Sequence, residues 1–127
     1  MDYEYLLQKA KEVSHNAYVP YSNFPVGACV LTENDKIYTG CNFENASFGL
    51  TICAERNAIG SAIADGETKI KAVAIYSPKI KNCYPCGACR QVISEFQGDN
   101  ETDIILEAQD GIQIYKFSEI LPYIFKM

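Results

Sequence analysis

Three consecutive segments constrain the fold more than any others: a nearly continuous apolar run from Ile70 to Ser77, a helical pattern from Gly87 to Phe96, and a strand-like run from Asp103 to Ala108. Strand, helix, strand is the signature of a parallel crossover, in which the connecting helix lies on the face of the sheet. The segments around this unit extend the sheet. Val26 to Thr32 and Lys36 to Phe43 are rich in β-branched, aromatic and small residues, and Glu33-Asn34-Asp35 between them has turn chemistry, so they are expected to form a β-hairpin. Leu6, Leu7, Ala10, Val13 and Ala17 recur at helical steps and predict an amphipathic helix from residue 3 to about 17. A second helix opens near Thr51 to Cys53, carries Ala54, Ala58, Ile59, Ala62 and Ile63 on one face, and stops at Asp65-Gly66. Gln109-Asp110-Gly111 turns the chain into Ile112 to Phe117, and a short helix, Ser118 to Leu121, ends at Pro122. The expected architecture is a three-layer α/β/α sandwich, with a mixed sheet of about five strands covered by helices on both faces.

The chain has 127 residues, no repeat and no linker, which predicts a single domain over residues 1–127. Its 48% hydrophobic and 21% charged residues are ordinary globular values that exclude disorder as the main state. Eleven Lys and Arg against sixteen Asp and Glu leave a net charge of −5, which argues against a nucleic-acid partner, because phosphate binding draws on clustered basic residues. Lys69 with Lys71 and Lys79 with Lys81 read as solvated strand ends, and the aromatic stretch Tyr18 to Phe24 as loop packing. No apolar run approaches the roughly 18 residues of a membrane span, and Met1-Asp2-Tyr3-Glu4 lacks the basic n-region and following apolar stretch expected of a secretion signal. A cytoplasmic location without a membrane partner is expected. Six cysteines in such a setting are better read as metal ligands, catalytic groups or buried thiols than as disulfides.

Cys86-Gly87-Ala88-Cys89 follows Pro85 at the start of a predicted helix, with a spacing that lets two sulfurs reach one metal ion at about 2.3 Å each. Redox pairs and buried structural cysteines share that spacing. Cys53-Ala54-Glu55-Arg56 adds a third thiol and a carboxylate at the start of another helix, where free N–H groups and the helix dipole favour thiolates. Three protein ligands leave a tetrahedral position open, as in a catalytic zinc site.

Together, Cys53-Ala54-Glu55-Arg56 and Pro85-Cys86-Gly87-Ala88-Cys89-Arg90-Gln91 resemble the zinc-dependent cytidine deaminase family in its short, all-cysteine form. The resemblance runs from Phe24-Pro25-Val26-Gly27-Ala28 through Cys41-Asn42-Phe43-Glu44-Asn45-Ala46-Ser47 to Leu121-Pro122. It implies one zinc per subunit on Cys53, Cys86 and Cys89, activating water for attack on C4 of cytosine. Glu55 would take a proton from that water, pass it to ring N3, and later protonate the leaving amine so that ammonia departs. It further implies that Asn42 and Glu44 bind adjacent ribose hydroxyls, that Phe24 packs on the pyrimidine, and that backbone groups of Ala54 and Pro85 read the base edge. Phe125 and Phe48 resemble positions that approach a neighbouring subunit's site, which implies a homotetramer. The implied reaction is hydrolytic deamination of cytidine and deoxycytidine in pyrimidine salvage.

Three thiolates around a divalent ion leave a net charge of −1, which Arg56 can offset by donating to the sulfurs; its alternative is a surface salt bridge. Cys29 and Cys41, in predicted strands, read as buried small apolar residues, and His15 as an ordinary helix residue. Cys83 stands three residues before Cys86 and is either a loop thiol open to oxidation or an alternative ligand. Two other functions stay in view. One is deamination of another aminopyrimidine nucleoside, such as blasticidin S, and the other is a closed structural zinc module, for which Cys83 is the only nearby fourth cysteine.

Overall fold

The structure, a computed structural model, describes residues 2–127. Among the described residues, four α-helices and five strands follow in the order α1 (Tyr3–Ser14), β1 (Gly27–Thr32), β2 (Ile37–Cys41), α2 (Ala54–Ala64), β3 (Ile70–Tyr76), α3 (Gly87–Glu95), β4 (Asp103–Ala108), β5 (Gly111–Lys116) and α4 (Phe117–Ile120). The strands form one sheet in the order β2-β1-β3-β4-β5. β1 runs antiparallel to both β2 and β3, β3 and β4 are parallel, and β5 returns antiparallel to β4. The parallel pair is the one that the strand, helix, strand pattern predicts.

Side-chain alternation divides the core into two halves, because successive residues of a strand face opposite sides of the sheet. Cys29, Leu31, Ala72, Ala74, Tyr76 and Ile105 face Leu6, Leu7 and Ala10 of α1. Ala28, Val30, Val73, Ile75, Ile104 and Leu106 face Ala54, Ala58, Ile59 and Ala62 of α2 and Ile93 of α3. All six residues of β1 are buried, as befits a strand covered on both faces. The molecule is thus the expected three-layer sandwich, with α1 alone on one side and α2 and α3 on the other.

Two glycines set how closely the layers approach. A Cβ at Gly27 would sit 1.9 Å from the Ala10 carbonyl oxygen, and one at Gly40 would sit 2.5 Å from the Ala58 backbone nitrogen. Only a residue without a side chain lets α1 and α2 lie this near the sheet.

Several element boundaries differ from the sequence reading. α1 stops at Ser14, not near residue 17, because the chain straightens so that Tyr18 N–H can donate to the Asn42 carbonyl and Glu44 N–H to the Tyr18 carbonyl. β2 ends at Cys41, and Phe43 instead makes isolated bridges to Tyr18 and Ile52. Residues Phe48–Leu50 form a 3₁₀ turn that no periodicity announces. α4 begins at Phe117, with the Glu119 side chain accepting from the Lys116 N–H at 2.7 Å.

Candidate active site

The starts of α2 and α3 meet at one end of the sheet. Cys53 is the N-cap of α2 and Cys86 the N-cap of α3, and neither side chain caps its own helix, so both sulfurs are free to face each other. Their Sγ atoms lie 3.8 Å apart. Cys89, one turn into α3, is fully buried and completes a trio whose sulfurs all lie within 4.8 Å of one another. Four-coordinate zinc with bonds of about 2.3 Å places thiolates about 3.8 Å apart, so the trio fits a tetrahedral ion with one position left open. Among the described residues, no fourth histidine, cysteine or carboxylate joins the cluster.

Charge around the trio is arranged for anions. Hydrogen bonding from Cys89 is the main reason that the Cys53 thiol is pulled down to about 5, with Arg56 adding to it. Cys89, as the donor of that hydrogen bond and a buried group, is pushed up. Arg56 reaches the Cys53 sulfur at 3.7 Å and donates to the Thr51 carbonyl at 3.2 Å. Its Nε is buried without a hydrogen-bond partner. A guanidinium held this way offsets the excess negative charge of three thiolates, and no salt bridge engages Arg56 among the described residues.

Glu55 follows Cys53 by two residues and is only 4% exposed. Burial, reinforced by the Cys53 charge, pushes its carboxyl up to about 7. A carboxyl that holds and releases a proton near neutrality is suited to general acid and base work.

The remaining expected residues lie around this end of the sheet or just beyond it. Ala54 is fully buried as the first residue of α2, and Pro85 is buried ahead of Cys86. Asn42 accepts from the Val26 N–H and donates to the Phe24 carbonyl, both at 2.9 Å. Glu44 accepts from the Tyr21 and Ser22 N–H groups and from the Ser22 hydroxyl. The polar pair therefore holds the loop that precedes β1, a duty the alternation of Asn42 and Glu44 does not reveal. Phe24 is partly exposed on that loop, whereas Phe125 is 69% exposed, with its carbonyl accepting from Gln91.

Cys83 lies in the loop ahead of α3, as its reading as a loop thiol expects. It packs half-buried against the α2/α3 core, where burial pushes its thiol up to about 11, and it stands outside the sulfur trio. Cys29 is buried as expected, but Cys41 is only half-buried near the end of an edge strand.

Two supports escaped the sequence reading. Arg90 donates to the Pro85 carbonyl at 2.8 Å and to the Ile120 carbonyl, tying the Cys86 loop to α4. Asn57 donates to the Cys41 carbonyl at 3.0 Å and ties α2 to β2. Arg90 directly follows Cys89, which is the only signal the sequence offers for it; Asn57 offers none.

Residues 1–103 match the family model described as the cytidine and deoxycytidylate deaminase zinc-binding region. The chain belongs to this deaminase family. It is 42% identical to a cytidine deaminase of Sporosarcina psychrophila over 98% of this chain and 92% of the relative. A cytidine deaminase of Mycoplasma genitalium is 36% identical over 97% and 95% of the two chains. Among solved structures, the cytidine deaminase of Burkholderia pseudomallei superposes with a TM-score of 0.90 at 40% identity, covering 98% of this chain and 100% of that one. The Mycobacterium tuberculosis enzyme gives 0.87 at 35% identity, over 100% and 99%. Zinc is the metal of this deaminase family, and the sulfur trio is where this member offers a site for it.

Proposed function

We propose that the protein converts cytidine and deoxycytidine, with water, into uridine and deoxyuridine plus ammonia. The observation that carries this reading is the placement of a nearly buried carboxyl, Glu55, two residues from a three-sulfur cluster that leaves one tetrahedral position open. Cys53, Cys86 and Cys89 hold the ion, and Arg56 balances their charge. Zinc, when bound, supplies the Lewis acidity that makes water a nucleophile at neutral pH.

Glu55 does the proton work. It accepts a proton as the water oxygen adds to C4 and delivers it to N3, then takes the remaining proton of the added hydroxyl and passes it to the exocyclic amine, so that the C4–N bond breaks, the C4=O bond forms and ammonia leaves. Asn42 and Glu44 read the sugar, Phe24 packs on the base, and the backbone at Ala54 and Pro85 faces the base edge. The chain acts as one domain over residues 1–127, assembled as a homotetramer and serving pyrimidine salvage in the cytoplasm. Phe48, 73% exposed, and Phe125 supply apolar surface for such an assembly and approach a neighbouring subunit's substrate.

The test is ammonia release from cytidine by zinc-loaded and chelator-stripped protein, with adenosine and blasticidin S as parallel substrates. Zinc-dependent release from cytidine alone is expected; release from blasticidin S alone would replace the substrate, and release from none would remove the activity. The ligand set has its own test. Cys83→Ala is expected to retain one zinc per chain by metal analysis, and Cys89→Ala to lose it. Loss from both variants would return Cys83 to the coordination sphere.

A further inference from the structure

The three sulfurs of the cluster are not held alike. Cys89 lies inside α3 and is fully buried, and the Cys53 sulfur is reached by Arg56 at 3.7 Å. Cys86 is exposed, and its side chain makes no capping bond to α3. Little packs on its C-terminal side, where Gly87 and Ala88 are exposed and a Cβ at Gly87 would meet nothing within 4 Å. Its position is therefore set from the N-terminal side, by the buried Pro85.

The proline ring fixes φ of Pro85 and removes its backbone N–H, which leaves ψ as the one soft torsion and the carbonyl as the one polar backbone group. Turning ψ would swing the Pro85–Cys86 peptide and carry the Cys86 sulfur away from that of Cys53, 3.8 Å distant. Arg90 opposes that turn. It stands one helical turn after Cys86, and a helical side chain lies over the turn N-terminal to it. Its Nε donates to the Pro85 carbonyl at 2.8 Å, its backbone N–H donates to the Cys86 carbonyl at 2.9 Å, and its Nη1 donates to the Ile120 carbonyl. One residue thus holds the carbonyls on both sides of the Cys86 Cα, and the bond to Ile120 fixes the guanidinium plane. Every residue but proline would make the backbone bond, so the side chain is what arginine contributes here.

We infer that Arg90 is the positioning residue for the Cys86 arm of the metal site, setting how tightly the cluster retains zinc by locking the Pro85–Cys86 peptide. The inference rests on the ligand set proposed above. Loss of the guanidinium frees ψ of Pro85, so Cys86 has to be ordered whenever the metal binds. The proton chemistry of Glu55, on α2, stays in place once the site is filled.

The experiment measures zinc affinity by competition with a chromophoric chelator, starting from metal-free protein, for the unsubstituted chain, Arg90→Ala, Arg90→Lys, Gln91→Ala and Cys86→Ala. Thermal unfolding of the metal-free forms and cytidine kinetics at saturating zinc are read on the same preparations. Groups that orient a metal ligand are worth about 10- to 100-fold in affinity, and Arg90→Ala is expected to lose zinc affinity by that factor. With the site filled, its kcat and KM for cytidine are expected to stay within about threefold of the unsubstituted values. Arg90→Lys keeps the charge, but a single ammonium does not reproduce the fixed fork that serves two carbonyls, so its affinity is expected to fall as well. Gln91→Ala frees only the Phe125 carbonyl and is expected to retain zinc as the unsubstituted chain does.

Unchanged zinc affinity in both Arg90 variants, full affinity in Arg90→Lys, or an equal loss in Gln91→Ala would overturn the inference. So would a lower metal-free Tm with zinc affinity unchanged, the mark of a merely structural role. If Arg90→Ala does not fold, Arg90→Lys decides. In each of these cases a loss of affinity in Cys86→Ala leaves the ligand set standing, whereas full affinity in Cys86→Ala would overturn the ligand set and the inference with it. Absence of cytidine turnover by the unsubstituted protein would overturn the deaminase reading and leave the inference to stand or fall on the zinc affinities.

Discussion

Replacing Glu55 by Ala is expected to leave one zinc per chain and to lower kcat for cytidine by about 10²- to 10⁴-fold, the span that a positioned general acid and base contributes. The side chain is not one of the clustered sulfurs, so the metal content should not follow the activity. Nor should the melting temperature fall, because a nearly buried carboxyl costs the fold its desolvation. Metal analysis, kinetics and thermal unfolding of one preparation separate these effects. Normal turnover by Glu55→Ala would move proton transfer to another group, and loss of zinc would make Glu55 a structural support of the cluster.

The second large effect concerns the fold. Gly27→Ala adds one carbon that would meet the Ala10 carbonyl oxygen at 1.9 Å, with the Ser14 nitrogen at 2.8 Å. Both are backbone atoms, so no side-chain rotation relieves the overlap, and α1 must lift from the sheet. An overpacked site of this kind is expected to cost about 3 kcal/mol or more, equivalent to a fall of about 10 °C in Tm for a chain this long. Thermal unfolding of the zinc-loaded variant measures it directly. An unchanged Tm would mean that α1 does not rest on β1 as described.

Local patterns made the layers and the sulfur cluster legible. Apolar runs bounded by turns identified all five strands, and helix periodicity placed α1, α2 and α3 within a few residues. Cys53 and Cys86 were readable because each opens a helix, and the N-terminal ends of α2 and α3 meet at the same end of the sheet. What escaped was carried by contacts distant in sequence. The pairing of Tyr18 with Phe43, which ends α1 early, leaves no periodic trace, and neither does the hold of Glu44 on Ser22. The sequence also gives no sign that the loop ahead of β1 hydrogen-bonds to Asn42 and Glu44. Cys83 escaped for a similar reason, since its partial burial depends on how the loop after β3 folds back on the core.

The C-terminal segment is gripped by its carbonyl oxygens, that of Ile120 by Arg90 and that of Phe125 by Gln91. Every residue type carries such an oxygen, so these anchors are indifferent to the side chains between and beyond them. Leu121 and Ile124 still pack partly on the core and are not free to vary. Tyr123 and Met127 point outward and carry no such duty, unlike Phe125, whose exposed ring is the one proposed to meet a neighbouring subunit. The terminus is thus a cassette whose outward residues other than Phe125 can be exchanged in the laboratory while its path along α3 is kept.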